Sequence, residues 1–402
     1  MPNPHLPAET LDDIVDLLHD ETYALRNCCL VSKSWIPRTR KHLFADIRFT
    51  DGRMLQSWKE SFPDPSTSPA RYTKILVVGC AHAVTAADRE PGGWITGFSR
   101  VVRFGINSLD MLGYWATVTF APFHGFSPAI KSIRVVFIFC PTSKFLDLIF
   151  SFPLLEDLTV MVEAESEGNP STTAQLSNPP PFTGSLELRH RGGIKPVARR
   201  LLSLPSGIHF RKLTLGWFGE EHLSLIMRLV VECSNTLESL DITCHIPSKS
   251  IGHLPPHTGL TPFLGERSTS IDLSKAIKLK EMVFRPNSRN VEWITMALQT
   301  ITRKHQDFRQ VSINVDCSDI SSISCVGDNI RKMLGERVYG QWLDLDHFLD
   351  QFLGSPPIHP KVVCIVPEGL HDMEDHFGCL LPVLTKRGRI DLVNQSHGLA
   401  WF

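Results

Sequence analysis

At 402 residues the chain can bury a large core, and its length allows two to three domains. Its 41 Lys and Arg balance 42 Asp and Glu, a formal net charge of -1, so no global bias points to nucleic acid, a membrane surface or a polyanionic substrate. Hydrophobic residues make up 42%, as in ordinary soluble globular proteins, and no run of about 18 uncharged apolar residues offers a membrane span.

The first residues, MPNPHLPAETLDD, are polar and acidic. They lack the apolar stretch of a secretory signal, so the expected location is cytoplasmic and/or nuclear. Ten cysteines are scattered without a CxxC pair, and isolated Cys on apolar segments read as reduced core thiols rather than a metal or disulfide framework.

In chain order, the segment from Leu6 to Phe49 predicts three short helices and then a strand. Pro7 suits a first helical position, and Leu11, Ile14, Val15, Leu17 and Leu18 form one apolar stripe behind it. Thr22 is the expected N-cap of a second helix, with Leu25, Cys28 and Leu30 inward. The third segment carries Val31, Trp35, Leu43 and Phe44, with Pro37 expected to distort it. Three helices of this size cannot bury every apolar residue, so part of that surface is expected to meet another protein.

Short apolar-x-apolar cores follow. They begin at Ile47-x-Phe49, Ile75-x-Val77, Val102-x-Phe104, Ile133-x-Val135, Leu158-x-Val160 and Leu186-x-Leu188. They continue at Leu213-x-Leu215, Leu240-x-Ile242, Met282-x-Phe284, Val311-x-Ile313, Val363-x-Ile365 and Ile390-x-Leu392. Most intervals lie between 25 and 31 residues, with 42 and 52 as exceptions. Helical patterns between the cores predict parallel strands, each unit burying its apolar face only against its neighbours. A doubly wound α/β enzyme domain is the alternative.

Three stretches interrupt the array. Residues 163–183 and 245–270 read as loops rich in Pro, Ser and charge, and Pro63–Pro69 as a shorter connection. The segment YGQWLDLDHFLDQFLG predicts an amphipathic helix with Trp342, Leu345, Phe348, Leu349 and Phe352 inward. The last unit, at Ile390 and Leu392, is expected to close the core against water.

Chemistry is sparse. No phosphate-cradling GxxxxGK[ST], GxGxxG or GxSxG motif occurs. Two prolines between His253 and His257 forbid the helix that would pair them as metal ligands, and the run from His371 to His376 reads as a charged helix start. The basic cluster Arg38 to His42 reads as the polar face of the third helix. No cofactor, metal or catalytic residue is therefore expected.

Leu6-Pro7, Glu9, Ile14, Leu17, the Leu30-Val31-Ser32-Lys33 run and Trp35 together resemble the F-box. The resemblance implies docking on a Skp-type adaptor, and through it on a cullin scaffold, with those residues forming or supporting the adaptor-binding surface. Over nearly the whole chain, segments such as GSLELR, CSNTLESLDI and LKEMVFRPNS resemble an F-box group abundant in fungi, whose C-terminal part is a divergent leucine-rich-repeat domain. The repeats here lack the Asn that normally follows the strand. The implied organisation is an all-α docking module over residues 1–46 and an α/β solenoid with parallel strands over 47–402. The implied function is substrate recognition in a ubiquitin ligase, with no catalysis by this chain, an unknown protein substrate, and no nucleic acid or membrane partner. The alternative is a repeat scaffold outside the ubiquitin system whose N-terminal helices cap the solenoid.

Overall fold

The computed structural model describes residues 7–80, 83–107, 120–165, 180–189, 194–218, 222–244, 271–285, 291–314, 331, 335–353, 361–367 and 378–395. The chain divides into two compact units, Met1–Phe182 and Thr183–Phe402. Each is α/β and holds parallel strands that lie side by side in chain order.

The first unit opens with α1 (Ala8–Leu17), α2 (Thr22–Val31) and α3 (Ile36–Leu43). The strands β1 (Asp46–Phe49), β2 (Ile75–Val78), β3 (Arg103–Asn107), β4 (Ser132–Pro141) and β5 (Asp157–Glu165) follow. Each pairs in parallel with the next. The returns between strands are α4 (Gly52–Ser61), short 3-10 turns at Pro69–Tyr72, Trp94–Phe98 and Ala121–Phe123, and α5 (Thr142–Phe150). At the entry to the Trp94–Phe98 turn a Cβ on Gly93 would collide with the Asp88 carbonyl, so only glycine fits there.

Two buried rows cross this sheet. Ile47, Leu76, Phe104, Ile133 and Leu158 stand in register, as do Phe49, Val78, Ile106, Val135 and Val160. Burying each such side chain stabilises by about 1.5–3 kcal/mol, which is what sets the register. Two expected cores are thereby corrected. The buried pair of β2 is Leu76 and Val78, not Ile75 and Val77, and that of β3 is Phe104 and Ile106, not Val102 and Phe104. In the continuous apolar run ILVV both frames alternate equally well, and only the neighbouring strand decides. At β3 the expected frame holds, but the strand begins at Arg103, so Val102 falls before it and Ile106 completes the pair.

Each strand start is also locked to the one before it. The Ala45 carbonyl accepts from the N–H of Lys74 at 2.8 Å and of Ile75 at 3.0 Å. The carbonyls of Lys74, Val102 and Lys131 do the same for their successors, so backbone groups beyond the ladder are satisfied.

The second unit contains β6 (Ser185–Arg189), α6 (Ile194–Leu202), β7 (Lys212–Phe218), α7 (Leu223–Cys233), β8 (Ser239–Cys244) and β9 (Glu281–Arg285). It continues with α8 (Glu292–Leu298), β10 (Gln310–Asn314), α9 (Glu336–Leu353), β11 (Lys361–Pro367), α10 (Pro382–Lys386) and β12 (Ile390–Gln395). All neighbouring pairs from β6 to β12 are parallel. Leu186, Leu213, Leu240, Met282 and Val311 form one buried row, and Leu188, Leu215, Ile242, Phe284 and Ile313 the other. At β11 the register aligns Val362 and Cys364 with Val311 and Ile313, one residue before the expected Val363 and Ile365.

The expected loop over 163–183 is shorter than the composition suggests. β5 continues through Glu165, and Phe182 is fully buried with φ +43°. Its N–H donates to the Leu155 carbonyl at 3.2 Å, and its ring meets Phe150 edge-on at 6.3 Å. Residues 166–179 and the expected loop 245–270 lie outside the described residues.

In α9, Trp342, Leu345 and Leu349 are buried as expected, while Phe348 and Phe352 are half-buried and stack at 5.7 Å. Asp346 lies on the same inward face. It accepts the N–H groups of Val383 at 2.7 Å and Leu384 at 3.1 Å, satisfying donors at the start of α10. Among the described residues, no helix is long and apolar enough to cross a membrane.

Candidate docking surface

The helices α1 and α2 divide their apolar residues between two faces. Val15, Leu25 and Cys28 are buried. Leu17 is 81% exposed, Tyr23 78%, Leu30 85%, Val31 70% and Ile14 39%. On α2 the division follows helical geometry. Leu25 and Cys28, three apart, face inward, whereas Tyr23 and Leu30, seven apart, share the outer face. Of nine large hydrophobic residues exposed among the described residues, five fall between Ile14 and Val31. That concentration distinguishes a patch from the scattered apolar surface of any protein.

Expected inward positions need correction here. Leu30 points outward rather than into the module. Pro7 precedes the first residue of α1, and Glu21 rather than Thr22 precedes α2, whose end makes no side-chain cap bond. Pro37 falls in the first turn of α3 and does not distort it, because an N–H is not needed there.

Three groups lock the module together. Arg38 on α3 donates from Nε to Asp16 Oδ1 on α1 at 2.6 Å, and from Nη2 to Oδ2. His42, one turn further along α3, bonds Asp16 Oδ1 through Nε2 at 2.7 Å. Arg38 first, and His42 after it, hold the Asp16 carboxyl well below the ordinary carboxylate range. So two residues of the basic cluster act within the fold. Thr39, buried between them, donates its hydroxyl to the Trp35 carbonyl at 2.8 Å.

The end of α3 abuts the first strands. The Phe44 carbonyl accepts from Thr73 Oγ1 at 2.9 Å, and the Phe44 ring meets Trp58 and Phe62 edge-on at 6.1 and 6.4 Å. Trp58 and Phe49 carry this aromatic packing onward to Trp94 and Phe98.

The structure places the F-box-like residues unequally. Pro7, Glu9, Ile14, Leu17, Leu30, Val31 and Lys33 are exposed, and Trp35 is half-buried at the start of α3. Leu6 lies outside the described residues. Tyr23, exposed on the outer face of α2, and the Asp16 lock were not foreseen. Arg38 and His42 stand four apart, which places them on one face, but nothing in the sequence names their acidic partner.

Elsewhere polar groups serve the fold. Asp241 on β8 takes a forked pair of bonds from Arg285 on β9, Nε at 3.0 Å and Nη2 at 3.1 Å. His305 is fully buried, bonding the Leu273 carbonyl through Nε2 and accepting the Thr302 N–H on Nδ1. Burial pushes the Cys233 thiol up to about 12. Among the described residues, no cluster of three His, Cys, Asp or Glu is arranged to hold a metal ion. His253, His257 and the run from His371 to His376 lie outside them.

Comparison with protein-family models finds no match, and a search of curated proteins finds no similar sequence.

Proposed function

We propose that this chain is the substrate-recognition subunit of a Skp-cullin-F-box type ubiquitin ligase. Its N-terminal helices dock on a Skp-type adaptor, and its strand array, read as divergent leucine-rich repeats, holds a protein substrate. The observation that carries the reading is the exposed face of Leu17, Tyr23, Leu30 and Val31 on helices whose opposite side is already buried. Covering each of these side chains in an interface stabilises a complex by about 1.5–3 kcal/mol, so a few of them suffice as anchors. The chain performs no chemistry in this role. It brings a bound protein close to a ubiquitin-conjugating enzyme, and acceleration comes from proximity.

A second reading rests on Phe44. Its packing on Trp58 and Phe62 joins the end of α3 to α4, whose Trp58 in turn meets Phe49 of β1, as expected of helices that merely cap a repeat scaffold outside the ubiquitin system. Co-expression with a fungal Skp-type adaptor separates the two. Docking requires the full chain and the adaptor to co-elute as one species in size-exclusion chromatography. Separate elution of two folded proteins leaves the cap reading.

A further inference from the structure

The turns leading into β8, β9 and β10 concentrate positive charge. Glu238 donates its N–H to the Arg211 carbonyl at 2.7 Å, Lys280 to that of Glu238 at 2.8 Å, and Arg309 to that of Lys280 at 2.7 Å. These four residues therefore stand side by side, one per strand, at about 4.8 Å spacing. The last two turns are also tied to each other. Leu273 N–H donates to Thr300 Oγ1 at 2.9 Å, and the fully buried His305 bonds the Leu273 carbonyl at 3.0 Å.

On this scaffold Arg211, Lys275, Lys278, Arg303, Lys304 and Arg309 are all exposed. Among the described residues none of the six forms an ion pair. One nearby carboxylate is already paired: Glu238 binds Lys280 at 2.6 Å, and its carboxyl lies below the ordinary range through that bond, with the charges of Lys280, Arg211 and Lys278 adding to it. Asp272, held by the Ser274 N–H at 2.9 Å, keeps its charge near Lys275. With Asp307 and the half-buried Glu281 it leaves three carboxylates against the six cations, a net excess of about three positive charges.

In a chain of net charge -1, such a local excess is not a by-product of composition. Six like charges on fixed turns repel one another, and an anionic ligand relieves that repulsion. Turns 271–280 and 300–309 offer no exposed ring on which a base could stack, since His305 and Phe308 are buried, so they are poorly suited to single-stranded nucleic acid. Their rigidity suits an extended chain bearing several carboxylates, because little ordering is needed on binding.

We propose that the face built by turns 271–280 and 300–309, together with Arg211, binds an acidic, Asp- and Glu-rich segment of a protein partner. This inference stands apart from the adaptor reading, because it uses no residue of the N-terminal helices.

The test is fluorescence polarisation of a labelled peptide of alternating Glu and Ser, about 12 residues and so roughly 40 Å when extended, long enough to cross the four strands. It is titrated with the full chain at about 50 mM ionic strength, where the screening length exceeds ~10 Å. Binding that weakens with added salt is expected, with affinity falling roughly tenfold or more in Lys278→Glu/Arg303→Glu/Lys304→Glu. The control Lys195→Glu/Arg199→Glu/Arg228→Glu makes the same charge change at exposed positions on α6 and α7 and should bind like the wild type. The proposal is overturned by no binding to the wild type, by equal loss in the control, or by tighter binding of an oligothymidylate of equal charge. Circular dichroism checks each fold. Should the Glu variant unfold, Lys278→Gln/Arg303→Gln/Lys304→Gln replaces it, with the same expected and overturning results.

Discussion

Arg38 on α3 grips both carboxylate oxygens of Asp16 on α1, tying to α3 the helix that carries the exposed Leu17. Asp16 is ionised in the native pair, and Arg38 holds its carboxyl well below the ordinary value of about 4. A depressed native value means the contribution is present above the unfolded value and is lost as pH falls through the native one. Asp16→Asn is therefore expected to melt below the wild type at pH 7, with the gap narrowing as acid protonates the wild-type carboxylate. Thermal melts of both proteins across the acid range check this, and a gap independent of pH would show that the pair does not act through charge.

Asp346 is expected to matter more than its place on an apolar face suggests. It is the partner of two N–H groups at the start of α10, and it is fully buried. Asp346→Ala leaves both donors without a partner and should cost about 1–3 kcal/mol, read as a lower midpoint in urea denaturation. A change within about 0.5 kcal/mol, the range of an ordinary surface substitution, would mean that the contact is dispensable.

Cys233 should resist alkylation in the native chain. Its thiol lies buried and is pushed up to about 12, so almost no thiolate exists at neutral pH. Iodoacetamide labelling followed by peptide mapping is expected to mark half-buried Cys29 in the folded protein and Cys233 only after denaturant is added. Early labelling of Cys233 would show that α7 opens locally.

The strand cores were legible in the sequence wherever polar residues flank each apolar pair, as in SLELR and SLDI, where the alternation admits one frame. It misled at ILVV, because in a continuous apolar run the side that faces the core is decided by contacts many residues away. At VVRFGI it found the right frame but set the buried pair two residues early. The N-terminal helices were legible as helices, but grouping Leu30 with Leu25 and Cys28 as inward misreads the helical period. At about 100° per residue Leu30 stands about 140° from Leu25 and about 200° from Cys28, so helical spacing alone already sets it on the face opposite the buried pair. Asp16 lies 22 residues from Arg38, and Asp346 lies 37 from Val383. Neither pairing leaves a local pattern, since both are made by the tertiary fold alone.

The most direct measurement of the central claim is isothermal titration of the full chain with a purified fungal Skp-type adaptor. It compares the wild type with Leu30→Asp/Val31→Asp. Both residues are largely exposed, at 85% and 70%, so the variant should keep the wild-type melting temperature to within a few degrees. The account requires the wild type to bind and the variant to bind roughly thirtyfold more weakly or worse, the loss expected when an interface anchor worth about 2 kcal/mol is removed. A wild type that does not bind, or a folded variant that binds as tightly as the wild type, would contradict it.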